Sequence, residues 1–199
     1  MGRLRGVVVR RKALSTYENY QHPVCSQTGC LFFGSKLFFD DRGAFLTSYQ
    51  ESDFLFRRMI NGSSPLKFVQ DNVSWSKKNV VRGLHFQTRK PQGKLVRVLS
   101  GSVLDVVLDL KKGSSTYGQF EVFKLDNPEA TLYVPPTHAH GFWVLSDCIF
   151  SYKCTEEYDA GGESGVNPFD KFFDFPWCSV MEESLIVSPK DRALPIFVG

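Results

Sequence analysis

The chain lacks any long hydrophobic run. No apolar stretch approaches the roughly 20 residues a membrane-spanning helix needs, so no membrane role is expected. Residues 1–17, MGRLRGVVVRRKALSTY, are basic, with no acid before Glu18. Their one apolar stretch is VVV and no small-residue cleavage site follows. They read as an extension rather than a targeting segment, and the protein is expected to be cytoplasmic. Gly6 stands where an N-myristoylation pattern requires Ser or Thr. Net charge is small, +3, which gives no electrostatic case for nucleic acid. The five cysteines, Cys25, Cys30, Cys148, Cys154 and Cys178, are odd in number and include no CxxC. That excludes the zinc templates and fits free thiols in a reducing compartment. Helical periodicity is almost absent.

Short apolar runs split by turn residues are abundant instead. With 199 residues, 42% hydrophobic and 23% charged, the chain suits one globular domain with a real core. Its 18 Phe favour strands over helices. CLFFGSKLFF leads into the turn DDRG, and AFLTSYQ follows. Further runs are FVQDNVSWS, NVVRGLHFQ, GKLVRVLSG, SVLDVVLDL, QFEVFKL, TLYVPP, HGFWVL and CIFSYKCT. QFEVFKL alternates with period two, as a half-buried strand should. The Ser-Gly-Ser between GKLVRVL and VLDVVLDL predicts a hairpin. ESDFLFRRMI could form a short helix, and the tail SLIVSPKDRALPIF one more strand and a short helix. About ten short strands predict an all-β sandwich or small barrel.

Several polar groups sit inside these strands, where a barrel would turn them toward a ligand. Arg82 and His85 in VVRGLHFQ have opposite parity; a bulge at Gly83 would bring both to one face. Gln70 and Asn72 share a face, as do Lys94 and Val96, and His138 and His140. Taken singly, each has a bland structural reading: a strand His or Tyr is more often core, and Lys94 alone reads as a solvated edge residue. The H-x-H of His138 and His140 raises a metal site, but no Glu lies within five residues of His140 to complete it, so no metal is expected.

Six segments, in order, carry a resemblance to a known family: FFDDRGAF, FVQDNVSWSKKNVVRGLHFQ, QGKLVRVLSGSVLDVVLDLKKGSSTYG, YVPPTHAHGFWVLSD, YKCTEEYDAGGESGVNPFD and SPKDRALP. From Leu31 to Phe197 the chain resembles the nucleotide-sugar 3,5-epimerases typified by dTDP-4-dehydrorhamnose 3,5-epimerase. The resemblance implies a cupin-like jelly-roll β-barrel or sandwich with a few short helices over residues 31–199; residues 1–30, whose periodicity is weak, read as an extension longer than the family's usual one. The resemblance also implies a homodimer acting on a nucleotide sugar without cofactor or metal. His85 matches the catalytic base, Asp170 in NPFD the carboxylate paired with it, and Tyr152 the acid. Arg82 and Lys94 match residues near the sugar and its C4 oxygen. Arg42, Phe45, Gln70, Asn72, His140 and Glu163 match positions lining the nucleotide-sugar site, some contributed by the partner subunit. Two departures stand out: Thr47 replaces a common acid, and Pro168-Phe169-Asp170-Lys171 replaces the usual W-N-D-P.

The implied substrate is a nucleoside-diphosphate 4-keto-6-deoxy sugar. Its ketone acidifies the C–H bonds at C3 and C5, so epimerisation needs a base, a cation at the enolate oxygen and an acid on the other face. An imidazole titrates near 6.5 and suits the base; a carboxylate would orient it. Rival expectations are inversion at C3 alone, a sugar 3,4-ketoisomerase on the same barrel, a metal-dependent oxygenase using His85, His138 and His140, and a non-catalytic sugar-binding barrel.

Overall fold

A computed structural model describes residues 24–51 and 66–199. The helix expected within ESDFLFRRMI and residues 1–23 of the extension lie outside the described residues. Among the described residues twelve strands run in chain order. The first four are β1 Val24–Cys25, β2 Leu31–Gly34, β3 Phe38–Asp40 and β4 Gly43–Phe45. Then come β5 Gln70–Ser76, β6 Val80–Gln87, β7 Lys94–Asp109 and β8 Phe120–Leu125. The last are β9 Ala130–Val134, β10 His138–Cys154, β11 Glu163–Gly165 and β12 Ile186–Val187. A one-turn helix, α1, covers Pro189–Arg192.

β7 and β10 are 16 and 17 residues long and pair antiparallel along their whole length, from His138↔Asp109 to Cys154↔Lys94. Each pairs with a different neighbour along each half of its length, within one ten-stranded sheet. One half of β7 pairs with β9 and the other with β8; one half of β10 pairs with β5 and the other with β6. β2 extends the β9 side, while β11 and β12 flank β6. This is the all-β architecture that the strand pattern predicts, in the cupin-like jelly-roll form that the resemblance implies.

The hairpin expected at Ser-Gly-Ser is corrected: residues 100–102 lie within one continuous strand. Gly101 has φ +86°, and a Cβ there would sit 2.2 Å from the carbonyl oxygen of Asp147 on β10. The glycine bends two strands pressed together instead of reversing one. Inward parity also changes across it. Val96 and Val98 before the bend, and Val103 and Val107 after it, share one apolar cluster with Phe142, Val144 and Phe150. Such a one-residue offset with a bend is what a bulge produces.

That cluster fills the interior. A second one, with Val81, Leu84, Leu108, Phe173, Phe175 and Trp177, lies on the other face of the β6–β10–β7–β8 sheet beneath the C-terminal segment. The expected boundary at residue 30 is also corrected. Cys30 is fully buried in the interior cluster, and β1 pairs with β2. Glu121 accepts hydrogen bonds from the backbone N–H and hydroxyl of Thr28. Residues 24–30 are therefore built into the domain.

Candidate active site

Strand register places the site. Side chains directly opposite across neighbouring strands share a face. Tyr152 lies opposite Asn72 and Val96, Cys154 opposite Gln70 and Lys94, and His140 opposite His85. A cavity of about 520 Å³ opens where these rows meet, lined by Arg82, His85, Lys94, His140, Tyr152 and Asp191 among others. Five of the expected site residues are thus brought together.

The bulge expected in β6 is present. Between Arg82 and His85 β6 advances three residues while β10 advances two, from Phe142 to His140. Gly83 takes φ +105°, and a Cβ there would lie 2.7 Å from both Gly141 Cα and the His140 carbonyl oxygen. Only glycine fits. The extra residue turns Arg82 and His85 to the same cavity, while Leu84 is fully buried in the opposite cluster.

The expected pairing of His85 with Asp170 is corrected. His85 Nε2 lies 2.7 Å from Asp191 Oδ1. Asp191 Oδ2 also accepts the N–H of Gly83 at 3.2 Å, so one carboxylate fixes both the imidazole and the bulge beside it. Asp191 sits in α1, where Ser188 caps its backbone N–H. Burial raises the Asp191 carboxyl's pKa, but the hydrogen bond and charge of His85, with Gly83 and Ser188, outweigh it and hold the group below the ordinary range. It is therefore an anion at neutral pH. The shared proton lies on Nε2, and Nδ1 carries the free lone pair. Asp170 instead accepts the N–H of Phe172 at 2.9 Å and of Phe197 at 2.6 Å. Both its oxygens are used in pinning a turn and the C-terminal tail. NPFD is turn chemistry: Asn167 Oδ1 likewise accepts the N–H of Phe169.

The remaining polar groups differ in setting. Burial pushes the Lys94 ammonium down, with Cys154, Asp105 and Glu163 acting against that. Burial raises the Tyr152 phenol, helped by Cys154 and Glu163 and opposed by Arg82, so the hydroxyl keeps its proton. Arg82 is held by the Ser76 hydroxyl at 3.0 Å and the Trp75 carbonyl at 3.4 Å. Ser74 lines the cavity with a buried hydroxyl that has no hydrogen-bond partner.

Other expected residues surround the cavity or stand apart. Gln70 donates to Asn72 Oδ1 at 2.8 Å and accepts the N–H of Tyr158 at 2.7 Å. Glu163 holds Lys190 at 2.7 Å and accepts the hydroxyl of Tyr158; Lys190 lines the cavity. Arg42 and Phe45 are on the separate β3–β4 hairpin and do not line it; Arg42 bonds Asp40 in its own turn. His138 is turned away, with Nε2 2.7 Å from the Thr28 carbonyl. No cluster of three metal-ligating side chains occurs among the described residues.

Comparisons with known proteins find relatives over most of the chain. The family model described as dTDP-4-dehydrorhamnose 3,5-epimerase matches residues 25–198. A dTDP-4-dehydrorhamnose 3,5-epimerase of Methanothermobacter thermautotrophicus is 43% identical over 169 residues, covering 84% of this chain and 89% of the relative. The crystal structure of the enzyme of that name from Bacillus anthracis, with TDP and PPi bound, is 38% identical with a TM-score of 0.76; 86% of this chain and 96% of that one are covered. A Legionella pneumophila dTDP-6-deoxy-D-glucose-3,5-epimerase in complex with dTDP-4-keto-L-rhamnose is 36% identical with a TM-score of 0.77, covering 88% and 92%.

Proposed function

Because the chain belongs to the dTDP-4-dehydrorhamnose 3,5-epimerase family, we propose that the cavity performs the reaction of that name. The protein is an isomerase that inverts C3 and C5 of a nucleoside-diphosphate 4-keto-6-deoxy sugar. The observation that carries the residue assignment is the His85–Asp191 pair opening onto a cavity that also holds Arg82, Lys94 and the protonated Tyr152. His85 Nδ1 takes the proton next to the ketone. The electron pair moves into the carbonyl, and Lys94 and Arg82 face the enolate oxygen that forms; preorganised charge of this kind typically contributes a few kcal/mol. Asp191 stabilises the imidazolium. Tyr152 returns a proton to the opposite face. His140, Gln70, Asn72 and Glu163 hold the nucleotide sugar. Neither a metal nor a redox cofactor enters these steps.

The working form is a homodimer. The β3–β4 hairpin leaves Phe39 77% and Phe45 67% exposed, and the outer face of edge strand β5 leaves Trp75 70% exposed. A partner's hairpin would carry its Arg42 and Phe45 to this cavity. Among the described residues no helix is long and apolar enough to cross a membrane, and a cytoplasmic nucleotide-sugar pool is the matching location. The test is incubation of chelator-treated protein with dTDP-4-keto-6-deoxyglucose and NMR of the ring couplings. Product inverted at both carbons is expected. Unchanged substrate, or inversion at C3 alone, contradicts the assignment. Mixing Arg42→Ala and His85→Asn chains should restore activity that neither has alone; no restoration contradicts the shared site.

A further inference from the structure

A second histidine–aspartate pair lies beside the first and has no role in the proton transfers above. Asp105 is in the middle of β7, with no exposed surface. Its Oδ2 is 2.8 Å from His140 Nε2. Its Oδ1 is buried and has no hydrogen-bond partner. A carboxylate in an apolar interior with one oxygen unsatisfied is costly, and stability alone does not favour it. Val103 and Val107, two residues to either side on the same face, belong to the apolar cluster, and a hydrophobic side chain would suit the position between them.

Its contacts show what the carboxylate does. His140 lines the cavity but is only 5% exposed. Its ring packs on Phe150 with centroids 6.2 Å apart and on Phe142 at 6.4 Å. Those contacts restrict where the ring can go, while Asp105 determines which nitrogen bears the proton. A carboxylate only accepts, so Nε2 must donate. The other nitrogen, Nδ1, makes no hydrogen bond among the described residues. It is the polar atom left for a ligand.

We infer that Asp105 is a positioning residue acting through His140: it locks the imidazole in the Nε2–H form, so that Nδ1 presents a hydrogen-bond acceptor to a hydroxyl of the bound sugar. The ligand contact rests on the proposed function; the locked tautomer does not, and the two are tested separately. A lone pair offered to a hydroxyl serves ground state and transition state alike, so its loss falls on KM.

The first experiment is ¹⁵N NMR of the imidazoles in the wild-type protein at pH 8, without substrate. The chain has only four histidines, so assignment by single substitution is tractable. His140 is expected with a protonated Nε2 and a bare Nδ1. A protonated Nδ1, or rapid exchange between tautomers, overturns the inference whatever the protein's substrate is. The second experiment is kinetic. An asparagine at 105 can turn its amide NH₂ toward Nε2 and release the tautomer. Asp105→Asn is expected to raise KM for the nucleotide sugar about 10-fold, a typical hydrogen-bond effect, with kcat within about 3-fold of wild type. Asp105→Asn in a His140→Phe background is expected to add nothing further, since Asp105 acts through that ring. A wild-type KM in Asp105→Asn, a loss confined to kcat, or full additivity in the double variant contradicts the assignment. Should Asp105→Asn fail to fold, the tautomer measurement still decides.

Discussion

Replacing Asp191 by asparagine separates orientation from packing, because the substitution is nearly isosteric. The wild-type carboxylate accepts from two donors, His85 Nε2 at 2.7 Å and the Gly83 N–H at 3.2 Å. An amide has one oxygen and cannot serve both. If the oxygen faces His85, the NH₂ meets the Gly83 N–H and two buried donors oppose each other, at a cost of about 2–3 kcal/mol. If the oxygen faces Gly83, the NH₂ must donate to Nε2, and the proton then sits on Nδ1, the atom that should act as base. The second arrangement avoids the clash, so the competent tautomer falls to roughly 1–3% at about 1.4 kcal/mol per decade. Loss of the anion beside the forming imidazolium removes about another tenfold. Turnover should drop about 10³-fold, while substrate affinity and the fold are retained. The assay is single-substrate kinetics followed by NMR, with urea unfolding in parallel. Asp170→Asn serves as the contrast: it weakens the turn and tail contacts, costs about 1–3 kcal/mol of stability and leaves turnover within about 3-fold. Turnover of Asp191→Asn within tenfold of wild type would refute the orientation argument, as would a larger loss from Asp170→Asn.

Tyr152→Phe keeps the packing but removes the acid. It should still exchange the substrate's α-protons with solvent while completed inversion falls about 10²-fold or more; undiminished inversion takes Tyr152 out of the acid role. Gly83→Ala combines a left-handed φ with a Cβ 2.7 Å from two backbone atoms of β10, and should cost about 2–4 kcal/mol in urea unfolding along with most activity; a neutral substitution would deny the bulge its role. Acid should destabilise the fold through buried Asp109 and Asp191 and half-buried Glu163, each held below its ordinary pKa, against the effect of burial, by hydrogen bonds and nearby cationic or histidine charge. The folded state binds fewer protons there than the unfolded chain, so their contribution is complete above about pH 5 and is lost as pH falls through about 4 toward the depressed values. Unfolding free energies at pH 7, 5 and 3 test the sign, and Asp191→Asn should flatten the slope.

Much of the fold is legible in the sequence because period-two alternation is a direct imprint of half-buried strands. The bulge at Gly83 is legible too, since only an inserted residue can bring Arg82 and His85 to one face. Ser-Gly-Ser misleads because the same residues favour a reversal and a bend, and only the pressure of β10 on Gly101 decides between them. Residues 24–30 lack periodicity because they are held by single contacts, such as Thr28 with Glu121 and His138, 93 and 110 residues away. The carboxylate error has a related cause. Asp170 and Asp191 both follow plausible turn or cap residues, and which of them reaches His85 depends on where α1 docks. Local sequence carries a signal for the second: Ser188, Pro189 and Asp191 together spell a helix start. Asp105 is silent in the sequence, one acid among valines and leucines. Arg42 and Phe45 match the family motif, yet the described chain holds them on a hairpin away from the cavity.

The central claim is that His85, oriented by Asp191, removes the protons flanking the ketone and Tyr152 replaces them. The direct measurement is proton NMR of dTDP-4-keto-6-deoxyglucose in D₂O with wild-type protein and with His85→Asn. Deuterium at both C3 and C5 with wild type, and at neither with His85→Asn, is the predicted result. Exchange that persists in His85→Asn at near-normal rate, or no exchange with the wild type, would contradict it.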